Sequence, residues 1–169
     1  MYGFLSEYLG QVAGVGTGPV SFALFLYGAA NIAGNLIAGH RLVKSPVRLI
    51  FSFVLLLALI YLAMFPGGGS YAVMVLLVLG WGLLGGVGGV VNQYLMANAA
   101  PDAPVFANGL FLFATNLGSA LATAFCGMFI SSLGIRMVGL GGLFFLLTGS
   151  LLLFPALQVK LFGVGRRIA

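Results

Sequence analysis

Uncharged apolar runs, each long enough to be counted in helical turns, are the main pattern along this chain, and short clusters of proline, glycine or charge interrupt them. From Tyr8 to Gly39 no residue carries a charge, and Pro19 suits the first turn of a helix over about 19–39. Arg41, Lys44 and Arg48 then mark a basic loop around Pro46. The next run predicts a helix over about 48–65, stopped by Pro66-Gly67-Gly68-Gly69, a strong turn signal. A third helix is expected over 71–95, ended by Ala97–Pro101, and Asp102 is placed to cap a fourth over 104–131. Ser132–Arg136 makes a short turn before a fifth over 137–157. Each run approaches or exceeds the roughly 20 apolar residues that cross the hydrocarbon of a bilayer. The stretch 1–14 is too short to span and reads as a partial helix, and 158–169 reads as a basic tail.

Composition turns this pattern into a class. Hydrophobic residues make up 62% of the 169 residues, charged ones 5%, and mean hydropathy is +1.19. A soluble domain carries about 25% charged residues, so a soluble enzyme and a disordered chain are both excluded. The runs are continuous and do not alternate, which selects helices over a β-barrel. The expected fold is therefore an all-α integral membrane protein, with five full transmembrane helices plus a partial N-terminal helix. The net charge of +5 comes from seven basic residues against two acids. Those seven sit at the ends of apolar segments, which points to membrane orientation and away from nucleic acid. Five spans put Arg41, Lys44, Arg48, Lys160, Arg166 and Arg167 on one side and Arg136 on the other. The positive-inside rule then places the C-terminus in the cytoplasm and the N-terminus outside. No cleavable signal peptide is expected, since Met1–Gly14 lacks a basic start and contains Glu7.

The polar residues within the runs carry what functional signal there is. Tyr27, Asn31 and Asn35 recur every four residues, on one helix face. Trp81, Gly85, Gly88 and Asn92 share a face of the third span, with Gln93 beside it. Asn108, Thr115, Asn116, Ser119 and Thr123 fall within an arc of roughly 100° on the fourth. The second and fifth spans have almost no such residues, Thr148 and Ser150 excepted. Polar groups in a membrane face a partner helix or a watered cavity, so these stripes either glue helices or line a path. Small-xxx-small pairs such as Gly82/Gly86 and Gly85/Gly89 belong to the first reading.

Catalytic chemistry finds no constellation. His40 is the only histidine and stands without a second ligand, and no triad can be assembled. The run Gly85-Gly86-Val87-Gly88-Gly89 lies mid-span and lacks the ending of a phosphate loop. No enzyme activity, cofactor or metal is expected. The lone Cys126 allows no intrachain disulfide and reads as a core or lipid-facing residue. Glu7 is either an exposed terminal acid or, if buried beside Tyr2 and Tyr8, a group for proton or cation coupling.

Four segments together resemble the C-terminal half of a major facilitator superfamily transporter, in particular the drug:proton-antiporter and sugar-efflux-like group. They are Tyr8–Gly14, Gly34–Leu42, Asn92-Gln93 and Asn116–Ala120, which match the end of helix seven, the end of helix eight, the inner end of helix ten and helix eleven. The resemblance implies that the five spans are helices eight to twelve, preceded by the tail of seven. It also implies a fold of two six-helix bundles that work by alternating access, with eight, ten and eleven facing the cavity and nine and twelve facing outward. On that basis Tyr27 and Trp81 would stack on a solute, and Asn31, Asn92, Thr115 and Asn116 would hydrogen-bond it. The family's loop between helices eight and nine resembles Gly-x-x-x-Asp-Arg-x-Gly-Arg-Arg. Gly39 and Arg41 match it, no acid stands near Val43 and Lys44, and Arg41, Lys44 and Arg48 would form the cytoplasmic gating loop. The implied role is proton-coupled export of a small neutral or amphipathic organic solute across a bacterial inner membrane. The implied partners are that solute, the lipid bilayer, and an N-terminal transporter half or a second copy of the chain. The alternative is a truncated or non-transporting membrane interaction module.

Overall fold

Prolines and glycines decide where the helices break. Pro46 cannot donate to a preceding turn and biases the residue before it away from helical geometry. In the computed structural model Ser45 accordingly stands alone, at φ −157° and ψ 73°, between α2 (Thr17–Lys44) and α3 (Pro46–Met64). The structure describes residues 4–12, 14, 16–64 and 70–163, with the side chains of Arg136 and 153–163 left out. A short α1 (Leu5–Val12) precedes α2; after α3 come α4 (Tyr71–Ala99), α5 (Pro104–Leu133) and α6 (Val138–Gly163). Gly134, at φ +86°, ends α5 in a conformation open to glycine, and the 3-10 turn Ile135–Met137 leads into α6. The described chain is all-helical, a membrane helical bundle.

Two sequence expectations change at these breaks. The basic loop is a helix-to-helix corner instead: Arg41 and Lys44 lie in the last turn of α2, and Arg48 lies in the first turn of α3. Cations are favourable at a helix C-terminus, so charge alone did not stop α2, and the Ser45 N–H closes it onto Arg41 O at 2.9 Å. Asp102 does not cap α5 either. Pro104 occupies the start of that helix, which makes Ala103 the cap residue, with no side-chain cap bond, while Asp102 sits in the preceding turn. The run Pro66–Gly69 lies outside the described residues, as do Met1–Gly3 and Val164–Ala169. The tail expected from 158 begins as the end of α6.

Four helices, α2 to α5, are long and apolar enough to cross a membrane; the apolar stretch of α6 described in full, Val138–Leu152, is shorter. At about 1.5 Å per residue, α2, α4 and α5 outreach a hydrocarbon core of roughly 30 Å. Large apolar side chains such as Phe25, Leu36, Leu76, Phe113 and Leu151 stand exposed around the bundle. In water such a surface would aggregate, whereas in lipid it needs no cover.

Helix direction follows from close approaches. Gly82 abuts Tyr27 and Gly86 abuts Asn31, so α2 and α4 advance together and run parallel. Gly80 faces Ile60 and Gly88 faces Phe53, so α3 runs against α4. The Tyr8 hydroxyl donates to Met64 O, and Tyr71 Oη donates to Pro19 O at 2.9 Å. Leu5, Tyr8, Leu9 and Val12 are all buried, which seats α1 in the core at the end opposite the basic corner. Arg136 belongs to that opposite end, in the turn before α6.

Candidate functional site

The largest helix interface joins α2 to α4. Glycine allows it: a Cβ at Gly34 would overlap Leu83 O, one at Gly82 would meet Tyr27 O, and one at Gly86 would overlap Asn31 O and stand 2.8 Å from Asn35 N. Of the two glycine pairs noted in the sequence, Gly82/Gly86 therefore faces α2. A Cβ at Gly85 would contact only side-chain ends, Asn31 Nδ2 and Tyr27 Oη, each at 3.1 Å, and one at Gly89 would meet nothing within 4 Å. Backbones brought this close gain dispersion contact that larger side chains would prevent.

Three of the six predicted pathway residues meet at this interface. The Tyr27 and Trp81 rings pack edge to face with centroids 5.2 Å apart. Asn31 Nδ2 donates to Gly82 O at 3.3 Å, and Asn35 Nδ2 donates to Asn31 Oδ1 at 3.3 Å. Both ends of the Asn31 amide are thus engaged. Trp81 is only 5% exposed, held between Tyr27 and the Tyr61 ring on α3, whose centroid is 6.3 Å away. Its ring is packed in the core, while Tyr27 and Asn31 are half-buried at the edge of the helix pair.

The other three lie elsewhere. Thr115 and Asn116 stand exposed on α5 with Asn108, Ser119 and Thr123, so the whole α5 stripe is on an open face. Asn116 Nδ2 donates to Leu112 O, one turn back on its own helix, at 2.8 Å. Asn92 is exposed at a groove between α3, α4 and α6. Glu7 is exposed, and its Oε1 accepts from Gln11 Nε2 at 3.0 Å, so the burial that would favour coupling is not present in this chain. No group of three or more His, Cys, Asp or Glu side chains gathers among the described residues. Cys126 is buried, its Sγ facing Gly141 across the α5–α6 contact.

Sequence reasoning missed Tyr61, and it took Gly34 only as the start of a resemblance segment and not as a point of helix contact. Tyr61 is the one phenol in the aliphatic run of α3, a signal that was present. Ser52, Thr148 and Ser150 each donate to a carbonyl of their own helix, at 3.0, 2.9 and 2.7 Å, which leaves α3 and α6 suited to lipid.

Apolar helices of this length, an apolar outer surface and polar stripes on α2 and α5 define a multi-pass membrane protein. The curated proteins similar to it include the following two. A protein named transcription regulatory protein OpdE, from Pseudomonas aeruginosa, is 29% identical over 136 residues, which is 80% of this chain and 34% of that protein. A probable sugar efflux transporter from Pasteurella multocida is 24% identical over 160 residues, 94% of this chain and 39% of the transporter. The chain thus spans little more than a third of the length of these relatives. No protein-family model matches the chain. No solved structure matches it.

Proposed function

We propose that this chain is the C-terminal part of a major facilitator superfamily secondary transporter, exporting a small neutral or amphipathic organic solute by alternating access. The observation that carries the reading is the similarity to a sugar efflux transporter along 94% of the chain. The placement of polar side chains supports it: α5 turns Asn108, Thr115 and Asn116 to an open face, and α2 holds Tyr27 and Asn31 at the rim of the α2–α4 pair. Polar groups on an exposed helix face within a membrane require a partner or water. An N-terminal transporter half, or a second copy of the chain, supplies the opposite wall of the cavity. The lining carries no charge, which suits an uncharged solute; the coupling ion is a proton, and the bilayer is the bacterial inner membrane. No enzymatic step and no cofactor belong to this reading.

Reconstitution in liposomes with an imposed pH gradient tests this. The chain together with its partner half, or as a crosslinkable homodimer, accumulates a labelled sugar or amphipathic solute when the gradient is present. A folded assembly that moves none of them ends the transport reading. The basic corner of Arg41, Lys44 and Arg48 faces the cytoplasm. Cysteine placed at Lys44 is then labelled by an impermeant maleimide only after cells are opened, and labelling of intact cells would reverse the orientation.

The 29% identity to a protein named as a transcription regulator favours a second reading, a membrane interaction module without transport. Its mark would be a chain that assembles stably in membranes and moves no solute.

A further inference from the structure

A groove of about 270 Å³ opens between α3, α4 and α6, near the lower end of ligand-pocket sizes, which begin around 300 Å³. Ile50 and Phe53 of α3, Leu95 of α4 and Phe145 and Leu146 of α6 give it apolar walls. On two of its three helices, α3 and α6, Ser52, Thr148 and Ser150 are bonded to their own helix, which suits this side of the bundle to lipid. Asn92 breaks the apolar lining: it is exposed, and no hydrogen bond holds its amide among the described residues. An unpaired amide against hydrocarbon is costly, and an ester carbonyl would satisfy it.

The charge around the groove selects the headgroup. The groove occupies the half of the bundle that ends in the basic corner, with Ile50 and Phe51 one turn from the start of α3. Arg48, exposed, precedes Phe51 by three residues and so shares its helix face. That end carries Arg41, Lys44 and Arg48 against the single acid Asp102, with Glu7 at the far end. Basic residues beside a cleft between transmembrane helices recognise anionic lipid headgroups.

We infer that the α3–α4–α6 groove is a binding site for one anionic phospholipid, with an acyl chain between Phe53 and Leu146, the ester carbonyl on Asn92 and the phosphate on Arg48. The inference does not depend on transport. It requires only that the chain sits in a bilayer.

Native mass spectrometry of the full chain, titrated with phosphatidylglycerol or with phosphatidylcholine of the same acyl chains, reads the site directly. Phosphatidylglycerol is expected to form a one-to-one adduct that phosphatidylcholine does not match. Arg48→Gln is expected to weaken that adduct about fivefold, the discrimination one cation supplies near an anionic surface. Gly149 lines the groove, and a Cβ there meets nothing within 4 Å, so Gly149→Leu is expected to fill part of the space and remove the adduct. Equal binding of the two lipids would mean an unselective lipid shell and overturn the proposal. Equal competition by glycerol phosphate without chains would reduce it to a phosphate site and overturn it too. So would an adduct that Gly149→Leu leaves intact.

Discussion

Gly86→Leu is expected to unfold the α2–α4 pair, and Gly89→Leu, three residues on, is expected to leave it whole. A Cβ at Gly86 would overlap Asn31 O, and the longer side chain has no free direction along a backbone that is already in contact. Inserting methylenes into a packed interface costs about 1–3 kcal/mol, and here α2 must move away along its length. That separation also breaks the Asn31–Gly82 bond and the Tyr27–Trp81 contact, which lie one turn away. At the upper end of that cost, a chain of this size loses roughly 6–12 °C in melting temperature. A Cβ at Gly89 meets nothing within 4 Å, and Gly89 is exposed, so leucine there projects away from the described helices. Replacing a helix-interior glycine removes backbone freedom from the unfolded chain and gains about 0.5–1 kcal/mol. Thermal unfolding of the two variants in detergent, followed by size-exclusion, reads the difference. If both melt together with the parent chain, the close backbone approach described for α2 and α4 is not what holds them.

The same glycines mark where the sequence was legible and where it was not. Long apolar runs had to be helices, because a bilayer leaves no other way to satisfy each backbone N–H and C=O. Prolines 46 and 104 fixed two of the breaks. The basic corner was misjudged because charge was read as a loop signal, whereas α2 accommodates Arg41 and Lys44 in its last turn. Gly82/Gly86 and Gly85/Gly89 are equivalent as spacing patterns, since periodicity gives a helix its faces without saying which face meets which neighbour. Rotation of α4 is set by the carbonyls of Tyr27 and Asn31 on a helix more than fifty residues away, which local sequence does not contain. For the same reason the stripe on α4 split. Trp81 turned to Tyr61 in the core, while Asn92, eleven residues on, came to the lipid-facing groove. The two still share a face, and it is the rise of about 16 Å between them along the helix that gives them different neighbours.

Asn116→Ala and Asn31→Ala are expected to separate the two roles that polar residues play here, lining and glue. Asn116 Nδ2 bonds to Leu112 O, a carbonyl that already accepts the helical N–H of the same residue, so its loss leaves no donor or acceptor stranded. Stability should therefore stay within about 0.5 kcal/mol of the parent, as for an exposed position. If α5 lines the solute path, removing that side chain takes one hydrogen bond from the solute and lowers flux about tenfold, the equivalent of roughly 1.4 kcal/mol. Asn31 differs because its amide joins Gly82 O to Asn35 Nδ2. Alanine there removes the bond to Gly82 O across the tightest helix pair, at a cost of about 0.6–1.7 kcal/mol for an interhelical bond of this kind, together with the bond from Asn35 within α2. Its flux should fall partly because less protein is folded. Flux per folded molecule, measured in liposomes with the partner half present, is the quantity to compare. A fall at Asn116 with unchanged melting, beside a melting loss at Asn31, assigns the path to α5 and the adhesive to α2. Unchanged flux per folded molecule in both variants would leave the open stripe of α5 without a solute to face and return it to helix contact with a partner.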